Sequence, residues 1–465
     1  MAASFRHIAV IDIGKTNAKL ALVDLETRAE IAVRKRQNTV ALDGVYPHFA
    51  VEPLWLFILD ALAELGSKHP IDAISITTHG ATAALLDEDG DLALPILDYE
   101  YDGPDALGGD YEAVRPSFAE TGSPRLPAGL NLGAQLFWQQ RSFPQHFSRV
   151  RHILTYPQYW SYLLTGVLST EVTSLGCHTD LWNPGDGAFS SMVGKLGWTD
   201  LFAPVRLAGD RLGNLRPELA VQLHLSAQTP VFCGIHDSNA SLLPHLLMRE
   251  PPFAVVSTGT WVISMSIGGS LPSLDPHRDT LINVNAFGAQ VPSARFMGGR
   301  EFTLATADLA EGNTEQDVAD VLAGPILLLP SLTPRSGPFP NAAAQWLKRQ
   351  PDEPGQQRVA ISFYLALMTA TCLELSGAKG PIIVEGPFAA NTLFLQMLFA
   401  ATGRPVYAHT RAVTGTSIGA ALLTQDLHAV AQGVAEPEMV MNPHWQAYAS
   451  AWKERVQAMV TDLDR

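Results

Sequence analysis

Two stretches of this 465-residue chain repeat one plan, and together they restrict its fold more than any other feature. His7 to Asp24, HIAVIDIGKTNAKLALVD, sets apolar runs at Ile8–Ile13 and Ala18–Val23 around the small polar turn Gly14-Lys15-Thr16-Asn17. Phe253 to Ile267, FAVVSTGTWVISMSI, sets strands at Phe253–Val256 and Trp261–Ile267 around Ser257-Thr258-Gly259-Thr260. Each reads as a β-hairpin whose turn is built from glycine and hydroxyl residues. Backbone N–H groups in such turns form anion nests. Each hairpin opens about half of the chain, which points to a duplicated fold with two phosphate-gripping turns facing one cleft. Taken alone, either stretch is equally an ordinary hairpin with a polar turn.

The first hairpin carries the charge. Asp12 ends a buried strand, and a desolvated carboxylate needs a cation or donors. The turn offers flexible backbone at Gly14, donors at Thr16 and Asn17, and the ammonium groups of Lys15 and Lys19. These groups suit the phosphate tail of ATP, with Mg²⁺ held at Asp12, usually through water.

Val51 to Gly66 has helical periodicity and closes on glycine, and Ile71 to Thr78 then reads as a strand. Strand, helix, strand is an α/β signature. Ligands in open α/β sheets gather at the carboxyl ends of strands, so His79, next to Thr78 and Gly80, has a reason to meet substrate; a turn histidine bonded to backbone is the other reading. The acidic, aromatic loop Pro95–Pro104 offers Tyr99 and Glu100 to a polyol, or is a plain surface loop. Residues 105–130, rich in Gly and Pro, are expected to be irregular, and Thr170–Trp182 has no clear period. Helices are expected at Ala134–Gln140 and Pro157–Leu164, and a short strand at His152–Thr155.

Val231 to Leu243, VFCGIHDSNASLL, brings a strand to Gly234, then His236 and Asp237, then a helix start. Asp237 is either an N-cap or a general base at a helix N-terminus, able to accept a hydroxyl proton. Residues 268–355 are expected to hold loops and short strands, with a glycine turn at MGGRE, Met297–Glu301. A long helix at Gln357–Ser376 precedes the strand Pro381–Glu385, the turn Gly386–Ala390 and a helix capped by Asn391. Thr414–Leu423, TGTSIGAALL, starts a helix whose small residues permit close approach of a flat ligand such as adenine, or tight packing.

Composition narrows the partners. At 47% hydrophobic and 17% charged the chain is globular and long enough for two or three domains. A net charge of -15 disfavours nucleic acid and anionic membranes. Cys177, Cys233 and Cys372 show no metal spacing, which suits buried free thiols in a reducing compartment. There is no secretory h-region and no uninterrupted apolar run of about 18 residues, so a soluble, cytoplasmic protein is expected. No GxxxxGK[ST] phosphate loop and no strand-linked GxGxxG occurs.

Five segments in order resemble the FGGY carbohydrate kinases: Asp12–Lys19, Thr77–Asp87, Gly234–Leu242, Ser257–Trp261 and Val384–Val406. The family resemblance spans nearly the whole chain and is nearest to L-fuculose and L-rhamnulose kinases. His79 is similar to the xylulokinase motif instead, and Glu385-Gly386-Pro387 replaces the usual run of glycines. The resemblance implies an α/β fold of two actin/hexokinase-like (ribonuclease H-like) ATPase domains around a central cleft. It implies a sugar-binding domain over residues 1–243 and a nucleotide-binding domain over 244–465. It also implies ATP-dependent phosphorylation of a ketose on its terminal hydroxyl, with ATP and Mg²⁺ and in some members a homodimer. Asp237 would be the catalytic base, and Asp12 and Asp237 the metal ligands. Phosphate would meet Gly14, Lys15, Thr16, Asn17, Lys19, Thr258, Gly259 and Thr260. Adenosine would meet Gly386, Pro387, Asn391 and Gly415. The sugar would meet Thr78, His79, Gly80, Tyr99, Glu100, His236 and Asp237. A pentulose kinase, a non-catalytic sugar or nucleotide sensor on the same fold, and a chaperone-type ATPase are the competing readings.

Overall fold

A computed structural model describes residues 5–324, 326–409, 415–427 and 441–463. The chain forms two compact units. The first runs to Met248 and takes in Ile282–Gln290 and the short helix Thr416–Leu422. The second holds Arg249–Leu281, the chain from Val291 through His409, and the terminal helix Pro443–Leu463. The first unit extends past residue 243 because the helix Asp237–Met248 runs unbroken through that point.

The sheet of the first unit is ordered Arg211–Asn214, Pro230–Phe232, Ala73–Thr78, His7–Ile13, Asn17–Asp24, Ala29–Gln37, and the short strand Ile235–His236 also pairs with Ala73–Thr78. The opening hairpin is antiparallel from His7↔Asp24 to Ile13↔Ala18, and His7–Ile13 pairs in parallel with Ala73–Thr78. Its apolar runs are continuous because both faces are covered. Ala9, Ile11 and Ile13 pack with Leu54, Ile58 and Leu62 of the helix Val51–Lys68. Ile8 and Val10 pack on the other face with Ala240 and Leu243 of Asp237–Met248 and with Ile418, Ala420 and Ala421 of Thr416–Leu422. A Cβ on Gly419 would lie 1.7 Å from the Ala240 carbonyl oxygen, so the small residues of that helix serve close helix packing. Thr414, where this helix was expected to begin, lies outside the described residues.

The second unit repeats the plan. Phe253–Thr258 and Val262–Ile267 form an antiparallel hairpin, and Phe253–Thr258 pairs in parallel with Ile382–Glu385, which pairs in parallel with Val406–His409. The expected helix at 357–376 is Pro354–Leu375, opened by proline and followed by Gly377. It is long and apolar enough to cross a membrane, but most of it is buried inside this unit, with Phe363 against Trp445 and Tyr448 of the terminal helix. The helix Thr392–Thr402 is capped by Asn391, whose side chain accepts the Phe394 N–H at 3.1 Å.

Three stretches are more regular than their composition suggests. Residues 105–130 contain the helices Gly108–Val114 and Phe118–Thr121, the second capped by Ser117. The MGGRE glycines open the helix Gly298–Thr306 rather than forming a free turn. Thr170–Trp182 holds the short helix Val172–Leu175, capped by Glu171. At Phe118–Thr121 and Val172–Leu175 a local side-chain cap wins over a sequence window too short to show a period.

Candidate active site

The strand end at Asp12 is fixed by ladder register. Asp12 lies opposite Lys19 on one side and Thr77 on the other. Its Oδ2 meets Lys19 Nζ at 3.3 Å and accepts from Thr416 Oγ1 at 2.5 Å and Ser417 Oγ at 3.3 Å. Lys19 also reaches Glu30 Oε1 at 2.9 Å. Burial works against its ammonium, but Glu30 and Asp12 outweigh that cost and raise its pKa. The turn beyond is tied by Gly14 N–H to the Asn17 carbonyl at 2.9 Å. Asn38 pins it from outside, donating its backbone N–H to the Thr16 carbonyl and its side-chain amide to the Gly14 carbonyl, each at 2.9 Å. Thr16 and Asn17 are left exposed.

Lys15 leaves this turn in another direction. Its ammonium pairs with Asp98, lies 3.3 Å from Glu100 Oε2, and sits over the rings of Tyr99 (4.8 Å) and Phe49 (5.2 Å). The same rings surround His79, with centroids at 4.9 Å for Phe49, 5.3 Å for Tyr99 and 4.9 Å for Tyr156. The His79 backbone N–H donates to the Ile13 carbonyl, which fixes it beside the first turn. Its Nδ1 faces the Gly80 carbonyl at 3.0 Å and must therefore carry the proton. Nε2 is then an acceptor, and it is buried without a partner among the described residues. Burial lowers the His79 pKa to about 4, so this tautomer is neutral near neutral pH. Tyr99 is pushed up to about 12 by burial and by Glu100, Asp237 and Asp98. Thr78 turns its hydroxyl to the His79 carbonyl at 2.8 Å and supports the strand end.

Asp237 opens its helix one residue beyond the strand Ile235–His236, whose pairing sets His236 against Thr78. Oδ1 accepts the Ser238 N–H at 2.6 Å and the Ser238 hydroxyl at 3.3 Å, and His236 Nε2 stands 3.2 Å away. These contacts all fall on one oxygen. Gly80 makes room for the imidazole: a Cβ there would lie 2.8 Å from Nε2. Behind His236, Cys177 Sγ is 4.0 Å from Nε2, and Thr173 Oγ1 accepts the His236 backbone N–H at 3.1 Å. Thr173 in turn donates its hydroxyl to Glu171 at 2.6 Å. Burial resists a charged imidazole, but Cys177 and Asp237 raise His236 to about 9. Burial likewise raises the fully enclosed Glu171 to about 7.

In the second unit the turn after Thr258 is closed by Gly259 N–H to the Trp261 carbonyl at 2.9 Å, and Thr260 is exposed. The Thr258 hydroxyl donates to the Glu385 carbonyl at 2.5 Å and accepts the Phe388 N–H at 3.1 Å. It therefore fastens the strand end that carries Gly386 and Pro387. Gly386 has φ of +82°, and a Cβ would lie 2.0 Å from the Thr258 carbonyl oxygen, so glycine is required there even without the usual glycine run. Asn391 uses its other amide end on Ser362 Oγ at 3.2 Å. Gly415 lies in the first unit, where it precedes Thr416 at the N-terminus of a helix.

The FGGY carbohydrate-kinase N-terminal domain model matches residues 114–244, and the carbohydrate kinase FGGY C-terminal domain model matches 250–433. A crystal structure of a carbohydrate kinase from Novosphingobium aromaticivorans is 36% identical, with a TM-score of 0.88 over 98% of this chain and 99% of that one. The chain belongs to the FGGY carbohydrate kinases. At lower identity, a crystal structure of ligand-bound xylulose kinase from Lactobacillus acidophilus (17%, TM-score 0.78, 99% and 98% covered) shares the fold. L-fuculokinase from Escherichia coli strain K12 is 24% identical over 272 residues, 56% of each chain. The chain thus spans about half the length of the curated relatives it matches.

Within this FGGY chain, several contributors escape sequence reading. Thr416 and Ser417 reach Asp12 across 404 and 405 residues of chain. Their signal is a pair of hydroxyls at the start of TGTSIGAALL, which stands out only once the helix is known to pack on the first sheet. Asn38, Phe49, Tyr156 and Cys177 have no motif around them and are found by contact alone, and Asp98 lies in the acidic loop without standing out from it.

Proposed function

We propose that the protein transfers the γ-phosphoryl group of ATP to the terminal hydroxyl of a ketose of the L-fuculose or L-rhamnulose type. The observation that carries this reading is Asp237. Its Oδ1 is engaged by Ser238 and His236, which leaves Oδ2 as the base. Asp237 also acts electrostatically on His79 and Tyr99, so acid–base and hydroxyl-recognising groups share one neighbourhood. The ketose hydroxyl gives its proton to Asp237 Oδ2 as its oxygen bonds to the γ-phosphorus. The bond from that phosphorus to the β–γ bridging oxygen breaks, and ADP leaves with the electron pair.

The first unit holds the acceptor at His79, Tyr99 and His236, and the second holds the nucleotide at Gly386, Pro387 and Asn391. Gly14, Thr16, Asn17 and Lys19 in the first unit and Gly259 and Thr260 in the second meet phosphate. Asp12 and Asp237 suit Mg²⁺, because this ion takes one or two carboxylates plus phosphate oxygens and water, and all the contacts of Asp12 fall on Oδ2. These carboxylates would hold the ion, which would offset charge on the phosphates.

A pentulose acceptor is the second reading, carried by the likeness of His79-Gly80 to the xylulokinase motif, and the Nε2 of His79, without a partner among the described residues, accepts from a sugar hydroxyl in either reading. The test is ADP release measured across L-fuculose, L-rhamnulose, xyluloses and ribuloses and ranked by kcat/KM. Release that depends on one of these sugars supports the kinase. Sugar binding without any release points to a sensor, and release without sugar points to a free-standing ATPase.

A further inference from the structure

We propose that Lys15 is a specificity-determining residue of the acceptor site, reading the oxygens of a neutral ketose, and not a phosphate ligand. This rests on the kinase reading above and deepens it. The expectation from sequence places Lys15 with Lys19 on phosphate. In the fold the two lysines part: Lys19 stays with Asp12 and Glu30, while Lys15 crosses to the loop that carries Asp98 and Glu100.

Three features hold Lys15 there. Asp98 is 8% exposed and would lose its cationic partner if the ammonium swung away. The faces of Tyr99 and Phe49 attract the cation, at 4.8 and 5.2 Å. Those rings also pack against His79, so the ammonium and the His79 imidazole, whose Nε2 has no partner among the described residues, share the same aromatic walls. One end of the site then donates and the other accepts. An ammonium needs a carbonyl or hydroxyl oxygen, and a lone-pair nitrogen needs a hydroxyl hydrogen; a ketose supplies both.

Charge decides the substrate class. Lys15 stands between two carboxylates, Asp98 and Glu100, so the acids beside it are in excess. His79 adds no positive charge near neutral pH. A sugar acid would bring a further carboxylate into this surplus, so an aldonate is rejected and an uncharged ketose accepted.

The test uses the full chain, with KM for the best ketose and for ATP measured in wild type, Lys15→Met and Lys15→Gln. The expected result is a rise of about tenfold or more in the ketose KM with the ATP KM within about twofold. A rise in ATP KM with the ketose KM unchanged, or no change in either, overturns the proposal. If neither variant folds, wild type alone decides: D-gluconate should fail to compete with the ketose in calorimetric binding, and competition at matching affinity overturns the proposal. If wild type releases no ADP with any ketose, the kinase reading fails separately, and calorimetric Kd values for ketose and ATP in Lys15→Met still decide whether Lys15 belongs to the sugar.

Discussion

At matching positions on their ladders the two hairpins carry different chemistry. The next-to-last pair is Asp12↔Lys19 in the first and Ser257↔Ile263 in the second. On the strand that pairs in parallel, Asp12 meets Thr77 and Ser257 meets Glu385. The first turn therefore sits on a half-buried network of Asp12, Lys19 and Thr416 with the more exposed Glu30 at its edge. The second sits on neutral hydroxyls and backbone, with Thr258 spent on holding the Glu385–Phe388 bend. A duplicated frame preserves the apolar ladder, because both strands of each hairpin are buried and any slip would turn core residues outward. It leaves the turns free to diverge. The first unit has gathered the titratable groups, and the second offers mainly backbone N–H groups.

The largest expected effect follows from that asymmetry. Asp237→Ala should lower kcat by about 10² to 10⁴-fold while calorimetric ketose binding changes only a few-fold. Ser257→Ala, at the matching strand end of the second hairpin, should lower kcat no more than a few-fold. Equal losses in the two variants would break the division of labour.

The pH dependence of stability sharpens it. His79 has a folded pKa of about 4 against an unfolded value of about 6.5. Between these values the unfolded chain binds a proton that the folded chain refuses, so stability falls as pH drops from about 6.5 to 4. The loss at this residue is at most on the order of 3 kcal/mol. His236 has the opposite sign: raised to about 9, it contributes stability below about 6.5 that is lost as pH rises toward 9. Lys15, Asp237 and His236 all act on His79, and none of them changes in His79→Phe. Denaturant midpoints for that variant should therefore vary less than wild type between pH 6.5 and 4. An unchanged slope would remove His79 from the titrating groups.

Glycine substitutions compare the two turns in a smaller way. Gly386→Ala places a Cβ 2.0 Å from the Thr258 carbonyl oxygen at a φ of +82°. It should cost about 1–3 kcal/mol by chemical denaturation. Gly14→Ala meets only the Asn17 carbonyl oxygen, at 3.3 Å, and should cost well under that. The reverse order would mean that the first turn, and not the bend at Gly386 that backs the second, is the sterically closed one.

How much of this is legible in sequence depends on the distance over which a contact acts. The hairpins, the strand end before His79 and the helix start at Asp237 are local patterns of period and capping, and each is present in the fold. The direction of Lys15 is not legible, because its neighbour Lys19 has the same chemistry and only the fold brings Asp98 to one of them. The Cys177–His236 contact spans 59 residues from a stretch without period. The small residues of Thr414–Leu423 suit a flat ligand and a packed helix equally in sequence, and only the fold shows the close packing at Gly419.

Thr416→Val isolates the smallest link of the charged network. It keeps the shape of the side chain and removes the hydroxyl that donates to Asp12 Oδ2 at 2.5 Å. Lys19 and Ser417 remain on the same oxygen, so Asp12 keeps two partners. A hydrogen bond to a charged group contributes about 1.5–3 kcal/mol, and retained partners bring the expected loss to about 1 kcal/mol. The readout is a double-mutant cycle with Asp12→Asn, following both the denaturation midpoint and the Mg²⁺ concentration that gives half-maximal turnover. Coupling in both readouts means that the hydroxyl orients Asp12 for its metal. Coupling in stability alone means that Thr416 only fastens its helix to the first sheet, and the resemblance between the two hairpins would then extend further than their charges suggest.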